Sequence, residues 1–134
     1  MNSFTSHFLA VAASVVLAPI AHAQGDAAAG KLLYAARCAA CHSIEYNGVG
    51  PTHKNLIGRR AGTAQSYTYS SALKSSSVVW SEDTLSRWLA DPEKFIPGQK
   101  MFVSVPDAQE RADIVAYLLL VGRQQPSTPR QPGE

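Results

Sequence analysis

The sequence lacks a strong net charge, internal repeats and any long apolar run beyond its first 23 residues. Its 134 residues carry a formal net charge of +2 at pH 7. This small value argues against nucleic-acid binding, which requires a concentrated basic stripe. The missing apolar runs argue against stable membrane insertion, because a spanning helix needs about 20 apolar residues.

Residues 1–23 have the pattern of a cleaved secretory signal peptide. An apolar stretch over residues 8–20 is followed by the sequence AHA, which matches an A-x-A cleavage site. The segment before the stretch has no lysine or arginine, which is atypical, and the alternative is an uncleaved N-terminal anchor. We predict cleavage before Gln24 and export to the periplasm.

The remaining sequence predicts one small domain and a tail. Residues 24–123 form a domain whose limited core would benefit from a bound cofactor. Residues 124–134 are polar and rich in proline, and we expect this tail to be disordered. Export would also place the cysteines in an oxidising compartment.

Three helical patterns begin at residues that favour the N-cap position. These residues are Asp26, Ser81 and Asp107, and each precedes apolar side chains at helical spacing. Glu110 follows Asp107 by three positions, as in a capping box. Pro92 is predicted to end the second helix. The sequence therefore predicts an all-α fold.

Two long irregular segments separate the helices, at residues 43–66 and 93–106. A short helical turn is expected at residues 70–74. Long loops in a small domain are best tolerated if they wrap around something. We therefore expect a bound group to fill the space between about four short helices.

The chemistry is concentrated in the sequence CAACH, which contains Cys38, Cys41 and His42. A structural zinc site needs four ligands in a tetrahedral arrangement, and the spacing of His53 does not suit one. A thioredoxin-like cysteine pair would leave His42 unused and normally lies beside a βαβ pattern, which this chain lacks. C-x-x-C-H is instead the attachment sequence of c-type haem. The two thiols add to haem vinyl groups, and the histidine then lies under the iron.

Met101 is a candidate for the second axial ligand. It is the only methionine after residue 23, and it lies in the loop sequence PGQKM. A lone methionine usually fills a core, but a packing methionine would more naturally lie on a helix. Imidazole and thioether together are the ligand pair of electron-transfer haems.

The sequence resembles the class I c-type cytochromes, in particular the soluble bacterial monohaem proteins close to the mitochondrial type. The resemblance covers residues 26–121 and includes Tyr69 and the motifs CAACH, GVGP, LIGRRAGT, VVWSEDTL, WLADPEKFIPGQKM and AYL. It implies the cytochrome c fold, with about four to five short helices and long loops wrapped around one covalently bound haem. It also implies that Gly30 packs near Tyr117, where the first and last helices cross.

The resemblance implies a role for each residue that would hold the haem. Cys38 and Cys41 would carry the thioether bonds, and His42 and Met101 would be the axial ligands. The Pro51 carbonyl would accept a hydrogen bond from the other imidazole nitrogen and fix the ring orientation.

The same resemblance extends to the haem surroundings. Arg59, Tyr69 and Trp80 match positions that hydrogen-bond the buried haem propionates. Trp88 stands where mitochondrial-type proteins have a tyrosine near the methionine sulfur. Without the resemblance, Trp80 could equally be an ordinary core residue and Tyr69 a surface aromatic, and Arg59 would by default be a solvated loop charge.

Besides Trp88, three residues depart from the pattern of the family. Gln99 replaces a threonine two residues before the methionine, and Glu93 replaces a lysine. His53 stands at a hydrophobic position, on the His42 side of the haem, where it could not displace Met101. We expect it to be a surface or partly satisfied loop histidine.

The implied function is that of a soluble periplasmic one-electron carrier, not an enzyme. Two protein ligands would leave no open position on the iron for oxygen or peroxide. The haem would cycle between Fe(II) and Fe(III) and connect membrane or periplasmic redox enzymes. We expect Arg37, Lys74 and Lys100 to form a basic ring around the exposed haem edge, which would favour acidic docking surfaces.

Two alternatives remain open at this stage. The first is a dedicated electron-accepting subunit of a periplasmic dehydrogenase, which an exposed apolar patch would favour. The second is a haem peroxidase or gas sensor with a labile methionine ligand. That alternative needs distal acid–base groups, for which His53 is the only spare histidine after residue 23.

Overall fold

A computed structural model describes residues 24–123; the predicted signal peptide and tail lie outside the described residues. Within this range, five helices are present: α1 (Ala27–Arg37), α2 (Ser71–Ser75), α3 (Glu82–Ala90), α4 (Pro92–Phe95) and α5 (Ala108–Val121). No β-strand occurs between residues 24 and 123, where Arg60 and Val79 form only an isolated antiparallel bridge. The predicted all-α fold is therefore confirmed.

The helices begin at the N-caps expected from the sequence. Asp26 accepts a hydrogen bond from the backbone N–H of Ala28 at 2.7 Å, and Ser81 forms a reciprocal capping box with Thr84. Each cap satisfies N–H groups that have no partner within the helix.

The start of α5 differs from the expected capping box. Asp107 accepts from the backbone N–H of Glu110 at 2.8 Å, as predicted. The Glu110 carboxylate, however, pairs with Arg37 at 2.8 Å. The capping box is therefore only half formed, because the Glu110 carboxylate pairs with Arg37 of α1 instead of bonding back to the backbone of Asp107.

Helix α4 was missed by the sequence analysis. Asp91 ends α3, and its carboxylate accepts from the backbone N–H of Lys94 at 3.0 Å, which begins α4. Pro92 is the first residue of α4, where its missing N–H costs nothing. Proline therefore separates two helices here, instead of leading from a helix directly into a loop.

Helices α1 and α5 cross closely at Gly30. A Cβ atom at this position would overlap the backbone carbonyl of Asp113, so only glycine permits the approach. The Asp113 carboxylate is buried and accepts from the backbone N–H of Asp26 at 2.8 Å. Beside the crossing, the rings of Tyr34 and Tyr117 pack with their centroids 5.3 Å apart. The predicted packing of Gly30 near Tyr117 is confirmed.

Backbone hydrogen bonds hold the first long loop against the segment before α3. The N–H of Trp80 donates to the Arg59 carbonyl at 3.0 Å, and the N–H of Ala61 donates to the Val78 carbonyl at 2.8 Å. These bonds place Arg59 and Trp80 side by side in the fold.

Of the helices in residues 24–123, none has the length and apolar character needed to cross a membrane.

Candidate functional site

A cavity of about 370 Å³ lies at the centre of the described fold, within the range of roughly 300–1,000 Å³ typical of cofactor sites. Much of its wall is aliphatic and comes from the loops, α2, α3 and α5: Leu56, Leu73, Leu85, Leu89, Val105, Ile114 and Leu118. Every site residue expected from the sequence also lines it: Cys38, Cys41, His42, Pro51, Arg59, Tyr69, Trp80, Trp88 and Met101. The fold thus brings together residues from segments that are far apart in the chain.

The end of α1 presents the CAACH residues to this cavity. Cys38 is the C-cap of α1, and its carbonyl accepts from the backbone N–H groups of Cys41 at 3.0 Å and His42 at 2.9 Å. This turn presents both thiols and the imidazole to one wall. Burial raises the pKa of the Cys38 thiol to about 11, so the free thiol would be protonated and weakly reactive at neutral pH. This property argues against a thiol redox switch.

His42 is fixed by backbone on two sides. Its Nδ1–H donates to the Pro51 carbonyl at 2.8 Å, which leaves Nε2 with a free lone pair in the neutral ring. A Cβ atom on Gly50 would overlap the ring, so glycine allows the loop to pass directly over it. Burial lowers the pKa of His42, and the bond to Pro51 opposes this shift. The result is an oriented imidazole suited to metal ligation.

His53 stacks on His42, a contact that no motif or spacing in the chain indicated. The ring centroids are 4.4 Å apart, with an angle of 18° between the planes. A hydrogen bond of 3.0 Å joins His53 Nδ1 to the Tyr34 hydroxyl. Burial and the neighbouring groups of His42 and Arg59 lower the pKa of His53 to about 3. Of the two expected environments, the structure shows the partly satisfied loop histidine and not the surface one.

Arg59 supplies the observation that best tests what the cavity could hold. Its two terminal nitrogens donate to the carbonyls of Thr52 at 2.9 Å and Lys54 at 2.7 Å. Its Nε is buried and has no hydrogen-bond partner among residues 24–123. The Tyr69 hydroxyl oxygen lies close by in the cavity wall and accepts from the backbone N–H of Ala64 at 3.2 Å. A buried donor without a partner is costly, and a carboxylate of a bound group would satisfy it.

Aromatic rings complete the wall. Trp80 and Trp88 are both buried and pack edge to face, with centroids 5.5 Å apart. Met101, half buried, lines the same cavity from the second long loop. No group of three or more histidine, cysteine, aspartate or glutamate side chains suited to a metal ion occurs in the described part of the chain. The residues present instead fit a large apolar cofactor that carries acidic groups and brings its own metal.

The cavity mouth differs from the expected basic ring. Arg37 and Lys100 line the cavity, but the Arg37 guanidinium is paired with the Glu110 carboxylate. Lys74 lies in α2, outside the cavity wall. Three exposed residues of the lining are apolar: Phe102 is 91%, Val49 76% and Val103 43% exposed. The mouth therefore combines an apolar rim with little uncompensated positive charge.

Comparisons with known proteins agree with this geometry. The family model described as Cytochrome c matches residues 27–121. A cytochrome c2 of Rhodomicrobium vannielii is 38% identical over 112 residues, covering 81% of this chain and 89% of the relative. A cytochrome c of Guizotia abyssinica is 40% identical over 98 residues, covering 70% and 88%. The solved structure of cytochrome cH from Methylobacterium extorquens is 49% identical, with a TM-score of 0.68, and the match covers 72% of this chain and 99% of that one. The chain therefore belongs to the cytochrome c family of electron-transfer proteins, which carry covalently bound haem.

Proposed function

We propose that this protein is a soluble one-electron carrier of the periplasm, with one haem whose iron is ligated by His42 and Met101. The observation that carries the proposal is the presence of both side chains, with the two thiols of CAACH, on the wall of one cavity. Haem supplies the redox-active iron, and histidine with methionine is the ligand pair of electron-transfer haems. Redox enzymes of the membrane or periplasm would donate and accept the electron.

The residues of the cavity divide into anchors, ligands and partners of the acidic groups. Cys38 and Cys41 would attach the haem as thioethers. The bond between His42 and the Pro51 carbonyl keeps the imidazole in one orientation and one tautomer. This fixed ring supports a ligand set that does not rearrange when the oxidation state changes.

The propionates are proposed to lie beside Arg59, Tyr69 and Trp80. The unpaired Nε of Arg59 supports this assignment, because a buried carboxylate needs donors and a buried donor needs an acceptor. Trp88 would pack against the haem near Met101 and help to exclude water. An iron with two protein ligands has no open position, which disfavours the peroxidase or gas-sensor alternative.

The periplasmic location is proposed from the export signal in residues 1–23 and from the chemistry of the site. The single C-x-x-C-H motif supports covalent attachment of one haem. The intact mass of the isolated protein tests cleavage before Gln24 and covalent attachment of haem together. We expect the mass of residues 24–134 plus one haem; a mass without the haem would refute covalent attachment.

A spectroscopic experiment tests the ligand set. We expect the ferric protein to show the methionine–iron charge-transfer band at neutral pH, and the ferrous protein to bind carbon monoxide poorly. Met101→Ala should abolish the band and lower the reduction potential, while Met101→Leu serves as a variant of similar volume without a ligand atom. A wild-type protein that lacks the band or binds carbon monoxide readily would refute ligation by Met101.

A dedicated electron-accepting subunit of a periplasmic dehydrogenase is the second candidate. The apolar rim formed by Val49, Phe102 and Val103 favours it, since large exposed apolar side chains at one mouth suggest a protein contact. The rate of reduction by a purified dehydrogenase, measured against ionic strength, separates the two. A rate that falls with salt supports the mobile carrier. A salt-independent rate together with a stable complex supports the dedicated subunit.

A further inference from the structure

Two of the residues that depart from the family pattern, Glu93 and Gln99, are hydrogen-bonded to each other. Glu93 replaces a lysine and Gln99 replaces a threonine, and neither change has a role in the site as described above. The Gln99 side-chain N–H donates to Oε2 of Glu93 at 3.2 Å. The other carboxylate oxygen of Glu93 accepts from the backbone N–H of Gly98 at 2.9 Å. Two separate departures thus form one hydrogen-bonded unit.

This unit ends on the backbone of Met101. The side-chain carbonyl of Gln99 accepts from the Met101 backbone N–H. The Gln99 amide can adopt only one orientation here, because a carboxylate only accepts and a backbone N–H only donates. Gln99 is buried, with 7% of its surface exposed, so water does not readily replace these bonds. The Glu93 carboxylate therefore orients the Gln99 amide so that its carbonyl oxygen faces the backbone N–H of Met101.

The unit also joins two rigid parts of the chain. Glu93 lies in the first turn of α4, whose start is fixed by the Asp91 cap. Gly98 has a φ of +86°, a turn conformation that suits glycine. The contacts of Glu93 and Gln99 hold this turn, and the Met101 backbone that follows it, against the helix.

We propose that Glu93 and Gln99 are positioning residues that hold the Met101 loop closed over the cavity and oppose displacement of the thioether by an external ligand. This inference rests on the proposed ligation of the iron by Met101. Displacement requires the loop to move, and movement breaks the bonds from Gln99 to Met101 and Glu93. Loss of these bonds raises the population of the open loop, and the apparent affinity for an external ligand rises in proportion.

Imidazole binding to the ferric haem-loaded protein provides the test, followed by loss of the methionine–iron band. Gln99→Leu keeps the volume and removes both hydrogen bonds, and we expect imidazole to bind about tenfold more tightly. Glu93→Gln should have a smaller effect in the same direction, because the new amide oxygen can still accept from the Gly98 N–H and the side chain is exposed. Glu82→Gln is the matched control: it removes an exposed carboxylate from the first turn of α3, outside the cavity. This control should leave the affinity unchanged.

The double variant and a second substitution make the outcome decisive. Glu93→Gln combined with Gln99→Leu should bind imidazole with nearly the affinity of Gln99→Leu alone, since the two residues act in one chain of bonds. If Gln99→Leu does not fold, Gln99→Thr, the residue typical of the family, replaces it. A wild-type protein with the band and variants with unchanged imidazole affinity would overturn the positioning role and leave Met101 ligation intact. Absence of the band in the wild-type protein would overturn both.

Discussion

The hydrogen bond between Tyr34 and His53 gives a prediction that links the helix crossing to the proposed haem ligand. Tyr34 is buried, with 6% exposed, and its hydroxyl lies 3.0 Å from His53 Nδ1. His53 in turn stacks on His42. Tyr34→Phe removes only the hydroxyl and leaves the imidazole nitrogen without its partner. We expect a loss of about 1–3 kcal/mol in the free energy of unfolding, the usual cost of a buried polar group that loses its partner.

The assay is denaturant unfolding of the haem-loaded protein, with the midpoint compared at constant slope. Tyr117→Phe is the control, because the Tyr117 ring packs on Tyr34 while its hydroxyl makes no hydrogen bond within residues 24–123. We expect this control to change stability by no more than about 0.5 kcal/mol. The double variant Tyr34→Phe with His53→Leu should cost less than the sum of the two single changes, because removing both partners leaves nothing unpaired.

Two results would refute this reasoning. Equal stability changes for Tyr34→Phe and Tyr117→Phe would show that the bond to His53 contributes nothing. Strict additivity in the double variant would show that the two residues act independently. In either case His53 would be a packing residue beside His42 and not part of a hydrogen-bonded unit.

Three further predictions follow from other contacts. The pKa of His53 is lowered to about 3 in the folded protein, so the unfolded chain binds a proton at this histidine at a higher pH than the folded chain does. The stability that neutral His53 contributes is therefore complete above pH 6.5. It is lost as the pH falls towards 3, by up to about 1.4 kcal/mol per pH unit. His53→Leu should remove this part of the pH dependence of the free energy of unfolding. If the free energies of the wild-type protein and of His53→Leu fell in parallel between pH 6.5 and pH 3, the assignment would be contradicted. Gly30→Ala should destabilise the helix crossing by about 1–3 kcal/mol, since the new Cβ meets the Asp113 carbonyl; an unchanged midpoint would contradict the close approach. Arg59→Met should shift the reduction potential of the haem measured by redox titration, because it removes a partly buried charge and the buried, unpaired Nε. The exposed Arg123→Met is its control, and a potential of Arg59→Met equal to that of the wild-type protein would refute the propionate assignment.

The features that the sequence predicted correctly depend on neighbours in the chain. Asp26, Ser81 and Asp107 begin helices because each cap bonds backbone groups within three residues of itself. The CAACH motif is local in the same way, because a single turn of the chain sets the spacing of its two thiols and its imidazole, and this spacing indicates haem attachment. Gly30 was anticipated because glycine inside a helix is costly unless something packs closely against it.

Other features depended on residues that are far apart in the chain, and only the tertiary structure decided them. Glu110 pairs with Arg37 across the helix crossing instead of completing its own cap, which also removes charge from the expected basic ring. His53 was placed on the correct side of the site, but its contact with Tyr34 requires α1 to lie beside the loop. The resemblance of several sequence motifs to the class I c-type cytochromes indicated the family and the candidate ligands, because such motifs can be recognised along the chain without knowledge of the fold. The orphaned Arg59 nitrogen and the bond between Glu93 and Gln99 were set by packing, since hydrogen-bond partners are chosen by position in space and not by order in the sequence.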